Sequence, residues 1–214
     1  MAEYEARAYL GLHFPEKLLE HYLSFELLQL SKTDTYLDIA SANSVTPDIA
    51  RRLYRCEVFR QDLRFPPGIH GDSIGGDGAN LDVPEGFASA ATLHCSFEHF
   101  EGDADERLIR NPSRWLRSGG RLCILPLYLN RRYGIATDLA WWPVHGRPTF
   151  EAGARVYYLK DYMSVHGRNY DVAHLHQRIR QNLGDLNLTI YYVRNQQVVD
   201  PSCYVKFVAL ISKP

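Results

Sequence analysis

The sequence predicts a single doubly wound α/β domain: a mostly parallel seven-stranded sheet with helices on both faces and an antiparallel hairpin strand at its C-terminal end. Three observations predict it. Short apolar runs alternate with helical patterns between Thr35 and Tyr128, and such alternation builds a parallel sheet covered on both faces. The last two runs, Leu188 to Val193 and Tyr204 to Ile211, are too close for a helical crossover and therefore pair antiparallel. The chain has 214 residues, 45% of them apolar, which suits one α/β domain with a full core.

The elements follow in order. Phe14 to Leu30 carries Leu18, Leu19, Tyr22, Leu23, Leu27 and Leu28 at helical spacing, with Pro15 in the first turn. It belongs to an N-terminal helical extension over residues 1–33. Thr35 to Ala40 is the first strand. Thr46, Pro47 and Asp48 then open a helix, Thr46 as N-cap and Asp48 on the positive end of the dipole. Cys56 to Arg60 is the second strand, and the proline- and glycine-rich residues after Asp62 form a loop. A short third strand ends at Asp77, and the fourth is Ala88 to His94. Asp103 to Leu116 is a helix kinked at Pro112, closed by Ser118-Gly119-Gly120. Arg121 to Tyr128 is the fifth strand. Residues 129–168 form an irregular insert, a candidate substrate lid, and Tyr170 to Asn182 is helical.

Composition excludes several classes. With 24 basic and 25 acidic residues the net charge is −1, which argues against a nucleic-acid partner. No stretch reaches the ~18 apolar residues of a membrane span. The charged N-terminus lacks the apolar stretch of a signal peptide, and Cys56, Cys95, Cys123 and Cys203 contain no CxxC pair. A cytoplasmic protein with reduced thiols is the expectation. No histidine pair stands at the spacing of a helical zinc site, so no metal is expected.

In a doubly wound sheet ligands bind at the carboxyl ends of the strands, where the winding reverses. The chain there reads Asp38-Ile39-Ala40-Ser41-Ala42-Asn43-Ser44. With Asp62, Gly76-Asp77-Gly78-Ala79, the segment His94 to Phe100 and Leu116-Arg117-Ser118-Gly119-Gly120-Arg121-Leu122, this order of motifs resembles the Rossmann-like class I S-adenosylmethionine-dependent methyltransferases, and their type 11 domain in particular. The first motif departs from that pattern: Ala40, Ala42 and Ser44 stand at its glycine places, and a turn demanding positive φ would strain Ala42 or be carried by Asn43.

The resemblance implies the donor S-adenosyl-L-methionine, a small-molecule methyl acceptor, and either a monomer or a homodimer. It places Asp38, Ala40, Ser41 and Asn43 near the donor's amino-acid end, Asp62 at the ribose, Asp77 and Gly78 at the adenine, and His94 along the donor. Ionised carboxylates accept hydrogen bonds only, as the ribose hydroxyls and adenine amine require. His94 and His99 are candidate general bases, although methyl transfer can proceed by positioning alone. Tyr128, Trp141, Trp142 and His145 are candidate acceptor-binding residues. The glycine-free turn carries a second expectation: a non-catalytic binding or scaffold protein on the same fold.

Overall fold

The computed structural model describes residues 14–41 and 43–214. Ala42 lies outside the described residues, as do residues 1–13. The main sheet has seven strands in the order β3-β2-β1-β4-β5-β10-β9. These are β1 Thr35–Asp38, β2 Glu57–His70, β3 Ser73–Gly75, β4 Ala88–His94, β5 Leu116–Leu125, β9 Asn187–Tyr192 and β10 Phe207–Ser212. β1 pairs parallel with β2 and β4, and β4 parallel with β5. β10 runs antiparallel to both β5 and β9. The predicted mostly parallel sheet and closing antiparallel strand are both present.

Successive residues of each strand point to opposite faces, and so feed two cores. Leu37, Ala91, Leu122 and Ile124 join Trp115 and Ile109 on one face. Tyr36, Ala90, Cys123 and Leu125 join Leu19, Phe25 and Leu28 of helix α1 (Phe14–Leu28) and Ala50 of helix α2 (Thr46–Tyr54) on the other. Among the described residues, no helix is long and apolar enough to cross a membrane.

α1 does not seat the face its leucines suggest. Leu18 and Tyr22 are exposed, whereas Lys17, Glu20, His21 and Ser24 are buried beside Leu19 and Phe25. A helix that buries a polar face needs polar partners beneath it. Here they stand at the carboxyl ends of β1 and β4.

Several local expectations are corrected. Thr46 is not the N-cap of α2: Val45 is, and the Ser44 hydroxyl accepts the Thr46 N–H at 3.1 Å. The stretch after Asp62 is not a loop. It continues β2 to His70 and folds back, so that Ser73 to Gly75 of β3 lie opposite both Arg60 to Asp62 and Gly68 to His70. Helix α3 (Ala104–Arg110) and the single turn α4 (Pro112–Trp115) break at the predicted proline, but Ser118 to Gly120 lie inside β5. Gly119 there takes φ 76°, next to a shift in the β4–β5 register. The 129–168 insert is not irregular, since its β6 (Gly134–Thr137) pairs parallel with β7 (Arg155–Tyr158) and antiparallel with β8 (Gly167–Asn169) in a separate three-stranded sheet. The helical stretch after Tyr170 is capped by Asp171 and passes through a π turn at Leu175–Ile179.

Candidate functional site

The strand order reverses between β1 and β4. That point is where a doubly wound sheet opens a crevice, and the residues ending the two strands are Asp38 and His94. Asp38 is almost wholly buried. Its Oδ1 accepts from the Thr92 hydroxyl at 2.8 Å, and Thr92 in turn pairs with the Tyr36 hydroxyl. With Thr92 donating to Asp38, Tyr36 donates to Thr92. This relay fixes the carboxylate, and its second oxygen, Oδ2, has no hydrogen-bond partner among the described residues.

The tautomer of His94 follows from its neighbours. Ser24 Oγ donates to the His21 carbonyl at 2.9 Å, so it accepts from His94 Nε2, 3.1 Å away. Neutral His94 then carries its proton on Nε2 and presents Nδ1 as an acceptor. Nδ1 is buried, without a hydrogen-bond partner among the described residues, 3.7 Å from Asp38 Oδ1. His21 packs edge-on to His94 at 5.0 Å, and burial holds its own imidazole well below the usual histidine range.

The turn after β1 is held from β2. Ala40 stands at φ 54°, a left-handed conformation rare for a residue other than glycine. Its N–H donates to Gln61 Oε1 at 3.1 Å, Ser41 N–H donates to the Gln61 carbonyl at 2.8 Å, and Gln61 Nε2 donates to the Gly76 carbonyl at 2.6 Å. One buried side chain thus ties the first turn to the third. Gly78 must be glycine because a Cβ there would meet Gln61 Oε1 at 2.9 Å and Ile39 Cγ2 at 3.0 Å.

Two cavities open on this frame. The smaller, about 300 Å³, is lined by Lys17 and His21 of α1, by Asp38, Ala40, Ser41, Asn43 and Ser44, and by His94, Cys95 and Ser96. The larger, about 480 Å³, is lined by Gln61, Asp62, Leu63, Asp77, Gly78, His99, Phe100, Glu101 and Ala104. Ala40 and Ser96 line both. The Ser41 hydroxyl in the smaller cavity is also buried, with no hydrogen-bond partner among the described residues. Cys95 stands at φ 47°, and Lys17 Nζ donates to its sulfur at 2.6 Å and to Glu20 Oε2 at 2.9 Å.

All eight sequence-derived donor residues therefore line one cavity or the other, Asp38, Ala40, Ser41, Asn43 and His94 the smaller, Asp62, Asp77 and Gly78 the larger. Asp62 accepts from the N–H and Nε of Arg64 at 2.9 and 3.1 Å. Asp77 caps its 3₁₀ turn by accepting from Ala79 N–H at 2.9 Å. His99 lines the larger cavity, but its Nδ1 is spent on the His166 carbonyl. Tyr128 is half-buried, and burial with the nearby charges of Glu98 and Cys95 pushes its phenol up. Trp141, Trp142 and His145 are not brought to either cavity. Trp141 stacks on His145 at 5.1 Å, and Trp142 bonds Thr137 and packs against Phe150 in the insert.

Lys17, His21 and Gln61 are missing from the sequence reading, and Cys95, Ser96 and Phe100 enter it only as part of the His94 to Phe100 motif, with no site role. For α1 a signal existed: Lys17, His21 and Ser24 form a polar i, i+4, i+7 stripe.

No protein-family model matches the sequence, and no curated protein sequence matches it. Solved structures do. One is a chain from the complex between the Haloferax volcanii Trm112 methyltransferase activator and a methyltransferase, 13% identical, covering 99% of this chain and 98% of that one with a TM-score of 0.60. Another is the geranyl diphosphate C-methyltransferase of Streptomyces coelicolor, crystallised with S-adenosyl-L-homocysteine, 12% identical over 92% of this chain and 80% of that one, TM-score 0.55. A third is the 1,6-didemethyltoxoflavin-N1-methyltransferase of Burkholderia thailandensis, also with S-adenosylhomocysteine, 15% identical over 90% and 76%, TM-score 0.55. At these identities the likeness is one of fold, and the fold is that of the class I methyltransferases.

Proposed function

We propose that this chain is an S-adenosylmethionine-dependent methyltransferase acting on a small-molecule acceptor. The observation that carries the reading is the set of three buried atoms in the smaller cavity that have no hydrogen-bond partner among the described residues: Asp38 Oδ2, His94 Nδ1 and Ser41 Oγ. Two are acceptors and the third can accept. Buried polar groups without partners are costly. A ligand bearing an ammonium group with several N–H donors satisfies them, and an α-amino-acid end supplies such a group. The larger cavity, whose wall carries the carboxylates of Asp62, Asp77 and Glu101 beside Leu63, Phe100 and Ala104, fits a nucleoside whose hydroxyls and amine donate.

S-adenosylmethionine, when bound, supplies an activated methyl on a sulfonium. The residues of this chain do the positioning. Asp38 and His94 accept from the amino group, and the small residues Ala40 and Ser41 allow close backbone approach. Asp62 accepts from the ribose, while Asp77 and Gly78 bound the adenine. Holding two reactants in line is itself a large part of catalysis for a transfer of this kind. The exposed lid side and Tyr128 are left to the acceptor, and no general base is needed for the donor to bind.

Isothermal titration with S-adenosylhomocysteine tests the reading. Binding in the micromolar range is the expected result. No heat and no thermal shift at millimolar ligand would overturn it and favour a non-catalytic binding protein on this fold.

A further inference from the structure

Among the described residues, the wall of the smaller cavity carries one anion and one cation. The anion is Asp38, and the cation is Lys17 of α1, one helical turn before His21. The Lys17 side chain is only 10% exposed. Burial opposes its charge, but Glu20 and Cys95 beside it outweigh burial and hold its pKa above the ordinary lysine value, so it stays an ammonium.

An ammonium has three N–H donors. One of them goes to Glu20 Oε2 at 2.9 Å and one to Cys95 Sγ at 2.6 Å. The Cys95 thiol donates in turn to Glu20 Oε1 at 3.2 Å, which closes a ring of three side chains. The ring pins Nζ and leaves its third N–H without a partner among the described residues. Glu20 is fully buried and off the cavity wall, and so is Glu16, which accepts from the Tyr204 N–H at 2.8 Å. On the same wall the Ser41 hydroxyl can donate as well as accept. The cavity thus offers two donors, Lys17 Nζ and Ser41 Oγ, beside the two acceptors Asp38 Oδ2 and His94 Nδ1. A ligand with an ammonium alone would leave the Lys17 donor stranded, which is costly for a buried charged group. A ligand with a carboxylate next to its ammonium satisfies all four.

We propose that Lys17 is the specificity-determining residue for the donor's α-carboxylate: its third N–H, with the Ser41 hydroxyl, holds that group while Asp38 and His94 hold the α-ammonium. The inference rests on the methyltransferase reading and adds the residue by which α1 reads the donor. It makes α1 a working part of the donor site rather than a cover laid over the sheet. It also explains why a lysine and a glutamate share the buried face of that helix: Glu20 and Cys95 fix the direction of the ammonium, and the ammonium selects a zwitterion over a simple amine.

Calorimetry on the full chain compares S-adenosylhomocysteine with its decarboxylated form, which keeps the ammonium and lacks the carboxylate. The parent chain is expected to bind the first at least about tenfold tighter, the effect of one hydrogen bond between charged groups. Removing Lys17 alone would strand the Glu20 carboxylate in the interior. The test variant is therefore Lys17→Met combined with Glu20→Gln, and Glu20→Gln alone is the control. The double variant is expected to bind the two ligands equally, with its affinity for the decarboxylated form unchanged, and the control is expected to keep the preference. A second variant, Lys17→Gln, keeps a donor for Glu20 while removing the charge, and is expected to lose most of the preference; thermal melting without ligand checks that each variant folds. Equal binding of the two ligands by the parent chain, a preference that survives the loss of Lys17, or a preference already lost in Glu20→Gln would overturn the proposal. A parent chain that binds neither ligand would instead sink the methyltransferase reading beneath it.

Discussion

His94 Nδ1 stands 3.7 Å from Asp38 Oδ1 across the point where the sheet reverses, and with Nε2 donating to Ser24 that nitrogen is an acceptor in the neutral imidazole. In that form two acceptors face one another, with no donor between them among the described residues. The pair is arranged for a ligand that brings N–H groups, and it explains why α1 buries a serine and a histidine over the strand ends.

Asp38→Asn tests this arrangement with little structural disturbance, because Asn can still accept from Thr92 at Oδ1. The variant replaces the unpartnered oxygen by an amide that donates. S-adenosylhomocysteine affinity is expected to fall about tenfold or more, the value of a hydrogen bond to a charged group. Binding of 5′-methylthioadenosine, which lacks the amino-acid end, is expected to stay unchanged. Calorimetry on both ligands separates the two, and an equal loss for both would show that Asp38 does not serve the amino group.

Gln61 joins the first and third turns through Ala40 N–H and the Gly76 carbonyl. Gln61→Leu fills the same space and leaves both backbone groups without partners. Each buried group stranded in this way costs about 1–3 kcal/mol, so a loss of about 2–4 kcal/mol is expected in urea unfolding with an unchanged m-value. Donor affinity should fall as well, since both cavity walls loosen.

The strand framework was legible because β1, β4 and β5 are short apolar runs whose two faces both meet cores, and Asp38 and His94 were legible as the polar residues that end such runs. The site of backbone strain was harder. The glycine pattern pointed to Ala42, outside the described residues, while the left-handed φ in the described part of that turn is at Ala40. Gln61 gave no sequence signal, since its role depends on two turns brought together by the sheet. The small insert sheet was hidden because its strands are three or four residues long, below the length at which alternation can be read. Trp141 and Trp142 looked like lid residues by composition, yet their rings close on Thr137, His145 and Phe150.

Arg168 of β8 ties the insert to the wall of the larger cavity. Its side chain is fully buried, pairs with Asp105 at 2.9 Å, and donates to the carbonyls of Phe100 at 2.7 Å and Gly102 at 2.9 Å. Those carbonyls belong to the loop whose Phe100 and Glu101 wall the larger cavity. Removing one partner of a buried ion pair costs about 3–5 kcal/mol, so Arg168→Met is expected to destabilise the fold by that amount. Combined with Asp105→Asn, the loss should be smaller than the sum of the two single losses, since the residues share one network. Additive losses in urea unfolding would show that the pair is not coupled.

His166 supplies the pH dependence. Its Nδ1 lies 3.1 Å from the Glu98 carbonyl, its Nε2 is buried without a partner among the described residues, and burial lowers its pKa from 6.5 to about 4. Above pH 6.5 the imidazole is neutral in both folded and unfolded chains, and its full contribution to stability is present. As pH falls from 6.5 towards 4 the unfolded chain binds a proton that the folded chain does not, so stability declines. Below about 4 both states are protonated and the decline ends. The whole decline amounts to about 3 kcal/mol, because each tenfold difference in proton affinity between the two states is worth about 1.4 kcal/mol. His166→Asn keeps a donor for the Glu98 carbonyl and removes the titrating group. Between pH 7 and 4 the variant is expected to lose less stability than the parent chain, and the difference should grow steadily over that interval. Urea unfolding at several pH values reads it directly, and parallel pH curves for the two proteins would show that the folded chain accepts the proton on His166 as readily as the unfolded one.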